Sequence, residues 1–280
     1  TPYTSSAASD VYKRQELKWH AMSRGFDEAF KFMGRGGHDY FDSKGVNSDD
    51  YAPIYRNKAR IPRDEYEGYL TTRLSEEAVD FIDRQKDDPF FLYLAYNAVH
   101  TPAQAPEEDI EYYRKKFPEL SERRTILMAM LDHLDKGVGA VVNKLKEENV
   151  WDNTLLFFLT DNGGAKAMEA DNGSLRDYKQ SLYEGGIRTP WIVSWPVRFT
   201  GGRKIDTPII SLDILPTVLD AIHGSDFDPR VSTGRTVAVG GHGAFGLEAA
   251  RTALQHYSTR VVMFCRRRRR RRPLRQIQAQ

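Results

Sequence analysis

The order of apolar and polar positions along the chain predicts alternating helices and strands. Residues 89–96, 154–160 and 190–195 are short apolar runs, a pattern typical of buried strands. Residues 69–85 carry apolar side chains at helical spacing, and residues 121–148 form the longest predicted helix. The apolar stripe of that helix repeats at spacings of four and three and consists of Leu127, Leu131, Leu134, Val138, Val141 and Leu145. This order predicts an α/β fold with a mixed, mainly parallel sheet flanked by helices.

The composition divides the chain into three segments. Residues 1–15 are small and polar without a sustained period, which predicts a disordered segment or a foreign leader. Residues 16–224 contain the predicted elements, including a helix over residues 211–222 that Pro216 interrupts. Beyond residue 224 aromatic and acidic residues become rarer, while Gly, Ala and Arg become more frequent. We therefore expect residues 225–280 to be a disordered or aberrant tail.

The overall composition is that of a globular protein. Of the 280 residues, 40% are hydrophobic and 29% are charged. No uninterrupted apolar stretch approaches the roughly 18–20 residues that span a bilayer, so we expect no membrane span. The single cysteine, Cys265, excludes an intrachain disulfide.

The net charge gives little support for a nucleic-acid partner. It is +2, from 41 basic and 39 acidic side chains, and residues 266–272 are all arginine. Without that block 34 basic and 39 acidic residues remain, and the net charge is −5. Because such a tract is more often a solvated tail, we expect no nucleic-acid binding.

The strongest chemical pattern follows the predicted strand 154–160. Asp161 and Asn162 come directly after the apolar run, and Gly163 and Gly164 follow them. In open α/β sheets, ligands bind just beyond the carboxyl ends of the strands. The two polar side chains offer hard oxygen atoms that suit Ca²⁺ or Mg²⁺, although an Asx turn closing the strand is the alternative.

Two further residues have the chemistry of an anion site. His100 follows the predicted strand 89–96 in a Pro-rich loop, where it could donate to an anionic substrate or act as an acid. Lys179 precedes a Gly-Gly pair and could bind an oxyanion as a point charge. Each could instead be an ordinary surface residue. Arg188 could likewise bind an anion, or it could pair with Glu184.

A Gly-rich and aromatic segment, residues 22–45, has the composition of a surface loop packed by its own side chains. His38, Tyr40 and Phe41 within it could line a sugar site. Packing within the loop is the favoured interpretation.

Taken in order, these motifs resemble a known family. The order is a strand with His100-Thr-Pro, a long helix, a strand with Thr160-Asp-Asn-Gly, and Lys179-x-x-x-Tyr-Glu-Gly-Gly-x-Arg-x-Pro. It is similar to the formylglycine-dependent sulfatases, which are arylsulfatase-like members of the alkaline phosphatase superfamily. Arg24-Gly-Phe-Asp-Glu28, Gly36-Gly-His-Asp-Tyr40 and Ser211-Leu-Asp-Ile-Leu-Pro-Thr217 also resemble segments of that family. The resemblance extends over about residues 17 to 222.

The resemblance implies a role for each matching residue. Asp161 and Asn162 match the family's second pair of Ca²⁺ ligands. His100 matches a histidine that hydrogen-bonds the sulfate, and Lys179 matches a lysine that binds the same oxygens. The implied activity is Ca²⁺-assisted hydrolysis of a sulfate ester, an aryl sulfate or a sulfated glycan. Family members are usually exported; the sequence leaves the localisation unknown.

The sequence departs from the family pattern in the nucleophile and in the first pair of metal ligands. The family's formylglycine derives from a cysteine in Cys-x-Pro/Ala-x-Arg, and that motif does not occur in these residues. The early strand with two adjacent aspartates, the first metal pair, is also absent. We therefore expect residues 16–224 to be a partial, N-terminally truncated catalytic domain that is inactive alone. A phosphate or phosphonate ester hydrolase of the same superfamily and a noncatalytic anion-binding module remain alternatives.

Overall fold

The computed structural model describes residues 20–23, 25–32, 38–44, 52–214 and 217–218, and the backbone alone of residues 235–240 and 260–265. Within these residues, eight strands form one sheet. They are β1 (Glu28–Phe32), β2 (Ile54–Arg56), β3 (Ala59–Arg60), β4 (Phe90–Ala95), β5 (Thr154–Leu159), β6 (Trp191–Ser194), β7 (Arg235–Gly240) and β8 (Arg260–Cys265). The helices are α1 (Leu70–Gln85), α2 (Glu107–Lys116), α3 (Glu122–Glu147) and the short α4 (Glu184–Ile187).

The predicted α/β class is confirmed, with a mixed sheet in the order β3-β2-β1-β7-β4-β8-β5-β6. Its pairings differ in detail from the expected mainly parallel arrangement. Of the seven pairings between described strands, those of β7 with β1 and β4 are parallel and the other five are antiparallel. Strands β4 and β5 nevertheless run in the same direction, because each is antiparallel to β8 between them.

The predicted elements match the observed ones closely. The helices expected at 69–85 and 121–148 and the strands expected at 89–96, 154–160 and 190–195 correspond to α1, α3, β4, β5 and β6. Of the expected helix 211–222 the structure describes a 3₁₀ turn, Ser211–Asp213, followed by α-helical residues at Ile214, Thr217 and Val218, and Pro216 lies outside the described residues.

Two helix ends follow from local chemistry. Helix α3 begins after Ser121, whose hydroxyl accepts a hydrogen bond from the backbone N–H of Arg124, a standard N-cap. Helix α2 has three acidic residues in its first turn and three basic residues in its last, the arrangement that the helix dipole favours.

The apolar stripe of α3 is displaced from its expected centre. Leu127, Leu134, Val141 and Leu145 are buried, but Leu131 is 42% exposed. The buried face also includes Met130 and Gly137, which shifts its centre and leaves Leu131 at the rim.

Two apolar clusters cover the two faces of the sheet. The larger one packs α1 and α3 against alternate residues of β4, including Leu92 and Leu94. The smaller one contains the intervening Tyr93 and Ala95 with Leu155, Phe157 and Leu159 of β5. Because successive strand residues point to opposite faces, both strands are buried on both sides, as their continuous apolar sequences indicate.

The structure describes part of the C-terminal end segment and none of the N-terminal one. The predicted leader, residues 1–15, lies outside the described residues. In the predicted tail, residues 225–280, the structure describes two six-residue segments, which form β7 and β8 inside the sheet, and the character expected of the tail as a whole stays a prediction. The segment boundaries stay predictions. No helix in the described ranges combines the length and apolarity that crossing a bilayer requires.

Candidate functional site

The sheet brings the two predicted polar segments to one edge. Strands β4 and β5 run in the same direction, so their carboxyl ends meet at the same side. Asn97 to His100 follow β4, and Thr160 to Asn162 follow β5. The structure therefore places His100, Asp161 and Asn162 where an open α/β sheet carries its chemistry.

Backbone contacts hold His100 in a fixed turn. Its N–H donates to the carbonyl oxygen of Asn97 at 2.8 Å, and its Nδ1 lies 2.9 Å from the carbonyl oxygen of Thr101. A carbonyl oxygen only accepts, so Nδ1 carries the hydrogen in this contact. The buried hydroxyl of Tyr40 lies 2.9 Å from the carbonyl oxygens of both Asn97 and His100 and donates its hydrogen to this pair.

The electrostatic environment of His100 favours the neutral ring. Burial lowers the pKa of its imidazole, the carbonyl oxygen of Thr101 opposes that shift, and the positive charge of Lys179 lowers the pKa further. His100 and Lys179 therefore act on each other across the site. An anion between two such groups would favour the protonated form of the imidazole.

The Asp161–Gly164 segment is packed against the Lys179 loop, backbone to backbone. The N–H of Gly163 donates to the carbonyl oxygen of Gly186 at 3.0 Å, and the N–H of Gly164 donates to Oδ1 of Asn172 at 2.9 Å. A Cβ atom on Gly163 would overlap the carbonyl oxygen of Gly185. The close approach thus requires glycine at this position.

Lys179 joins the two halves of the site. Its N–H donates to the carbonyl oxygen of Gly164 at 2.9 Å, and its side chain is half-buried. Burial lowers the pKa of the Lys179 ammonium, and the carboxylate of Asp161 acts in the opposite direction. Lys179 thus interacts electrostatically with both Asp161 and His100. Arg188 instead pairs with Glu184 at 3.3 Å and belongs to the loop's own packing.

The side chains present offer oxygen donors for a hard cation. Asp161 is exposed and Asn162 half-buried, and both carry the oxygen atoms that Ca²⁺ prefers. Among the described residues, no three His, Cys, Asp or Glu side chains gather into a metal-binding group. The pair therefore fits as part of the roughly six to eight oxygen ligands of a Ca²⁺ site.

The surface loop expected over residues 22–45 is wrong in part, because Glu28–Phe32 form the buried strand β1 within the sheet, while packing explains the aromatic residues that follow it. His38 is fully buried, and its Nε2 lies 2.9 Å from the carbonyl oxygen of Ala52. Tyr40 is also fully buried and stacks on Tyr69 at a ring separation of 5.3 Å. The packing interpretation of these two residues agrees with the structure, whereas Phe41 is 45% exposed.

The roles of two residues near His100, Tyr40 and Asn97, were not predicted from the sequence. Tyr40 supports the turn from 60 positions away, which no local pattern reveals. Asn97 is 3% exposed although polar, and it stands at the end of an apolar run. A polar residue at the end of an apolar run is the sequence feature that could have pointed to Asn97.

Comparison with known proteins identifies the class and then the family. The mixed α/β sheet with cationic and oxygen-donor side chains at one edge is the arrangement of an alkaline phosphatase-like hydrolase fold. The Sulfatase family model matches residues 8–225. The chain belongs to the sulfatase family.

Individual relatives agree with this assignment. An uncharacterized sulfatase, YdeN, of Escherichia coli (strain K12) is 34% identical over 207 residues, 73% of this chain and 34% of that protein. Human N-acetylgalactosamine-6-sulfatase is 31% identical over 215 residues, 72% of this chain and 39% of that protein. The chain thus spans little more than a third of these relatives.

A solved structure supports the fold. The crystal structure of Ps i-CgsB in complex with k-i-k-neocarrahexaose is 34% identical, with a TM-score of 0.66. The similarity covers 78% of this chain and 50% of that one.

Proposed function

We propose that this chain carries the sulfate-binding part, and part of the Ca²⁺ site, of a sulfuric ester hydrolase. The supporting observation is the position of Lys179, which interacts electrostatically with both Asp161 and His100. A sulfate ester bears its charge on oxygen atoms, so it is suited to a place between a cation site and these two donors. The sulfatase family match over residues 8–225 supports the same activity.

Each residue has a distinct part in this proposal. Lys179 binds the sulfate oxygens as a point charge, and the half-buried position of its side chain strengthens the attraction. His100, held by the Thr101 and Asn97 carbonyls, presents its ring to the same anion. Asp161 and Asn162 would hold Ca²⁺, which when bound stabilises negative charge that develops on the substrate.

We infer that the chain alone binds sulfate esters without turning them over. The Cys-x-Pro/Ala-x-Arg motif of the formylglycine nucleophile does not occur in its 280 residues. Hydrolysis is proposed for the situation in which these residues act together with such a nucleophile. The substrate class is a sulfate ester, either an aryl sulfate or a sulfated glycan, and the similarity to a structure in complex with neocarrahexaose supports the glycan.

The proposal is tested by binding and turnover measurements on the 280-residue chain. We expect sodium sulfate to bind measurably by calorimetry in the presence of Ca²⁺, and His100→Ala to weaken it by about 10-fold, the loss of one hydrogen bond to a charged group. We expect no release of nitrophenol from nitrophenyl sulfate.

Three results would change the proposal. Tighter binding of phosphate than of sulfate would favour a phosphate or phosphonate ester hydrolase. Turnover of nitrophenyl sulfate above that of Lys179→Ala would contradict the inactivity of the chain alone. Absence of sulfate binding with and without Ca²⁺ would refute the anion site itself.

A further inference from the structure

Continued two residues beyond the strand ends, the sheet register sets Asn97 level with Asp161. Ala95 at the end of β4 and Leu159 at the end of β5 both lie opposite Arg260 of β8. Asn97 and Asp161 are each two residues further along. With β8 between the two strands, their Cα atoms are separated by about two strand spacings, roughly 10 Å.

Continued beyond the strand ends, the alternation of side chains assigns both residues to one face of the sheet. Tyr96 and Ala98 pack in the cluster that contains α1 and α3. Asn97, between them, therefore turns its side chain toward the opposite face, the face of Ala95. Asp161 follows Leu159 by the same two residues, and Leu159 packs on that opposite face as well.

The Asn97 carboxamide is buried without a partner in the described part of the chain. The residue is 3% exposed, and neither Oδ1 nor Nδ2 makes a hydrogen bond there. Its backbone, in contrast, is fixed, because its carbonyl oxygen accepts from the N–H of His100 and the hydroxyl of Tyr40. A buried amide with two unsatisfied atoms is unfavourable unless a further group satisfies it.

We propose that Asn97 supplies a further oxygen ligand to the divalent cation that Asp161 and Asn162 hold, an inference that rests on the proposed function. Asparagine carbonyl oxygens are ordinary Ca²⁺ ligands at about 2.3–2.6 Å. An ion midway between two Cα atoms roughly 10 Å apart is within reach of both side chains. The level position opposite Asp161 points to the cation and not to the sulfate.

The test measures Ca²⁺ binding to the 280-residue chain by calorimetry, with terbium luminescence as a second readout. We expect Asn97→Ala to lower Ca²⁺ affinity by about 10- to 100-fold. Asn97→Asp should keep or raise the affinity, because a carboxylate is the stronger ligand. The matched control is Asn143→Ala, on the exposed surface of α3, which should bind as the wild type does.

Thermal unfolding separates this role from a structural one. Without Ca²⁺, Asn97→Ala should unfold at or above the wild-type temperature, since the substitution removes two unsatisfied polar atoms. Addition of Ca²⁺ should raise the unfolding temperature of the variant by less than it raises that of the wild type. A lower unfolding temperature without Ca²⁺ would indicate a structural residue and overturn the proposal.

Binding measurements give the remaining outcomes. Unchanged Ca²⁺ affinity in Asn97→Ala would also overturn the proposal that Asn97 is a cation ligand. Weaker sulfate binding by this variant in the presence of a Ca²⁺ chelator would overturn it too, because Asn97 would then donate to the anion. A wild-type chain that binds no Ca²⁺ would refute the cation site of the proposed function together with this ligand.

Discussion

The N–H of Lys179 donates to the carbonyl oxygen of Gly164 at 2.9 Å, so the lysine is fixed to the segment that begins with Asp161. This hydrogen bond joins the backbones of two residues that are 15 positions apart. Because it involves only backbone atoms, substitution of the Lys179 side chain leaves it in place. Changes to the Lys179 side chain therefore test its charge separately from the loop structure.

Lys179→Ala should weaken sulfate binding by about 10- to 100-fold, the loss expected for a charge-assisted hydrogen bond. The measurement is a sulfate titration by calorimetry at fixed Ca²⁺. Lys166→Ala is the control, because Lys166 is an exposed lysine two residues after Gly164. Equal losses of sulfate affinity in the two variants would show that sulfate binding depends only on the overall positive charge and not on the position of Lys179.

Gly163→Ala should destabilise the protein by about 1–3 kcal/mol, since a Cβ atom there would overlap the carbonyl oxygen of Gly185. It should also weaken sulfate binding by displacing Asp161 relative to Lys179. Urea unfolding measures the first effect. Gly201→Ala has open space for its Cβ atom and should change neither quantity. An unaltered unfolding midpoint in Gly163→Ala would show that the glycine contact is not tight in solution.

Tyr40→Phe should lower the free energy of unfolding by about 1–3 kcal/mol, because the buried carbonyl oxygen of Asn97 and the part-buried one of His100 lose their hydroxyl donor. Sulfate affinity should fall as well, since the turn that carries His100 loosens. Tyr112→Phe, at a 54% exposed position, is the control for loss of a hydroxyl. Retained stability in Tyr40→Phe would show that the hydroxyl is not needed for the turn.

Much of the architecture is local and could be predicted. The strands β4 and β5 and the helices α1 and α3 follow from periodicity, and the order of His100, Asp161 and Lys179 already indicated one site. The strands and helices depend on short sequence windows, in which apolar spacing is decisive, whereas the grouping of the three site residues came from the resemblance to the sulfatases.

The remainder depends on contacts between distant residues. The insertion of β7 and β8 into the sheet, where β7 forms two parallel pairings and β8 two antiparallel ones, results from strand pairing that no single segment encodes. The exposure of Leu131 depends on which face of α3 the other elements cover, and the unpartnered carboxamide of Asn97 becomes visible only once both faces of β4 are packed.

Two glycines of α3 provide a test of the helix packing. Gly137→Ala should destabilise by about 1–3 kcal/mol, because its Cβ atom would overlap the Ser75 hydroxyl and lie 3.1 Å from that of Tyr96. Gly139→Ala, two residues further on, meets nothing within 4 Å and should stabilise by about 0.5–1 kcal/mol through the better helix propensity of alanine. Urea midpoints that move in the same direction for both would contradict the packing of α1 on α3 at this point.

The C-terminal ends of α1 and α3 share a charge network that makes stability depend on acid pH. Asp83 accepts from Lys144 at 2.6 Å and from Lys86 at 3.3 Å, and these contacts lower the pKa of its carboxyl from an ordinary value near 3.8 to about 2. Because the folded-state pKa lies below the unfolded one, the contribution is complete above about pH 4 and is lost as the pH falls toward 2.

Asp83→Asn should therefore unfold at a lower temperature than the wild type at pH 5, with the difference narrowing as the pH approaches 2. High salt should narrow it as well, since the network is exposed and screened. Asp88→Asn is the control, an exposed carboxylate in the turn that follows α1, with no ion pair in the described part of the chain. A difference between Asp83→Asn and the wild type that stayed constant from pH 5 to pH 2 would show that the substitution acts through packing. The depressed pKa of Asp83 requires the difference to vanish with protonation, because the proton removes from the wild type the same charge that the substitution removes from the variant.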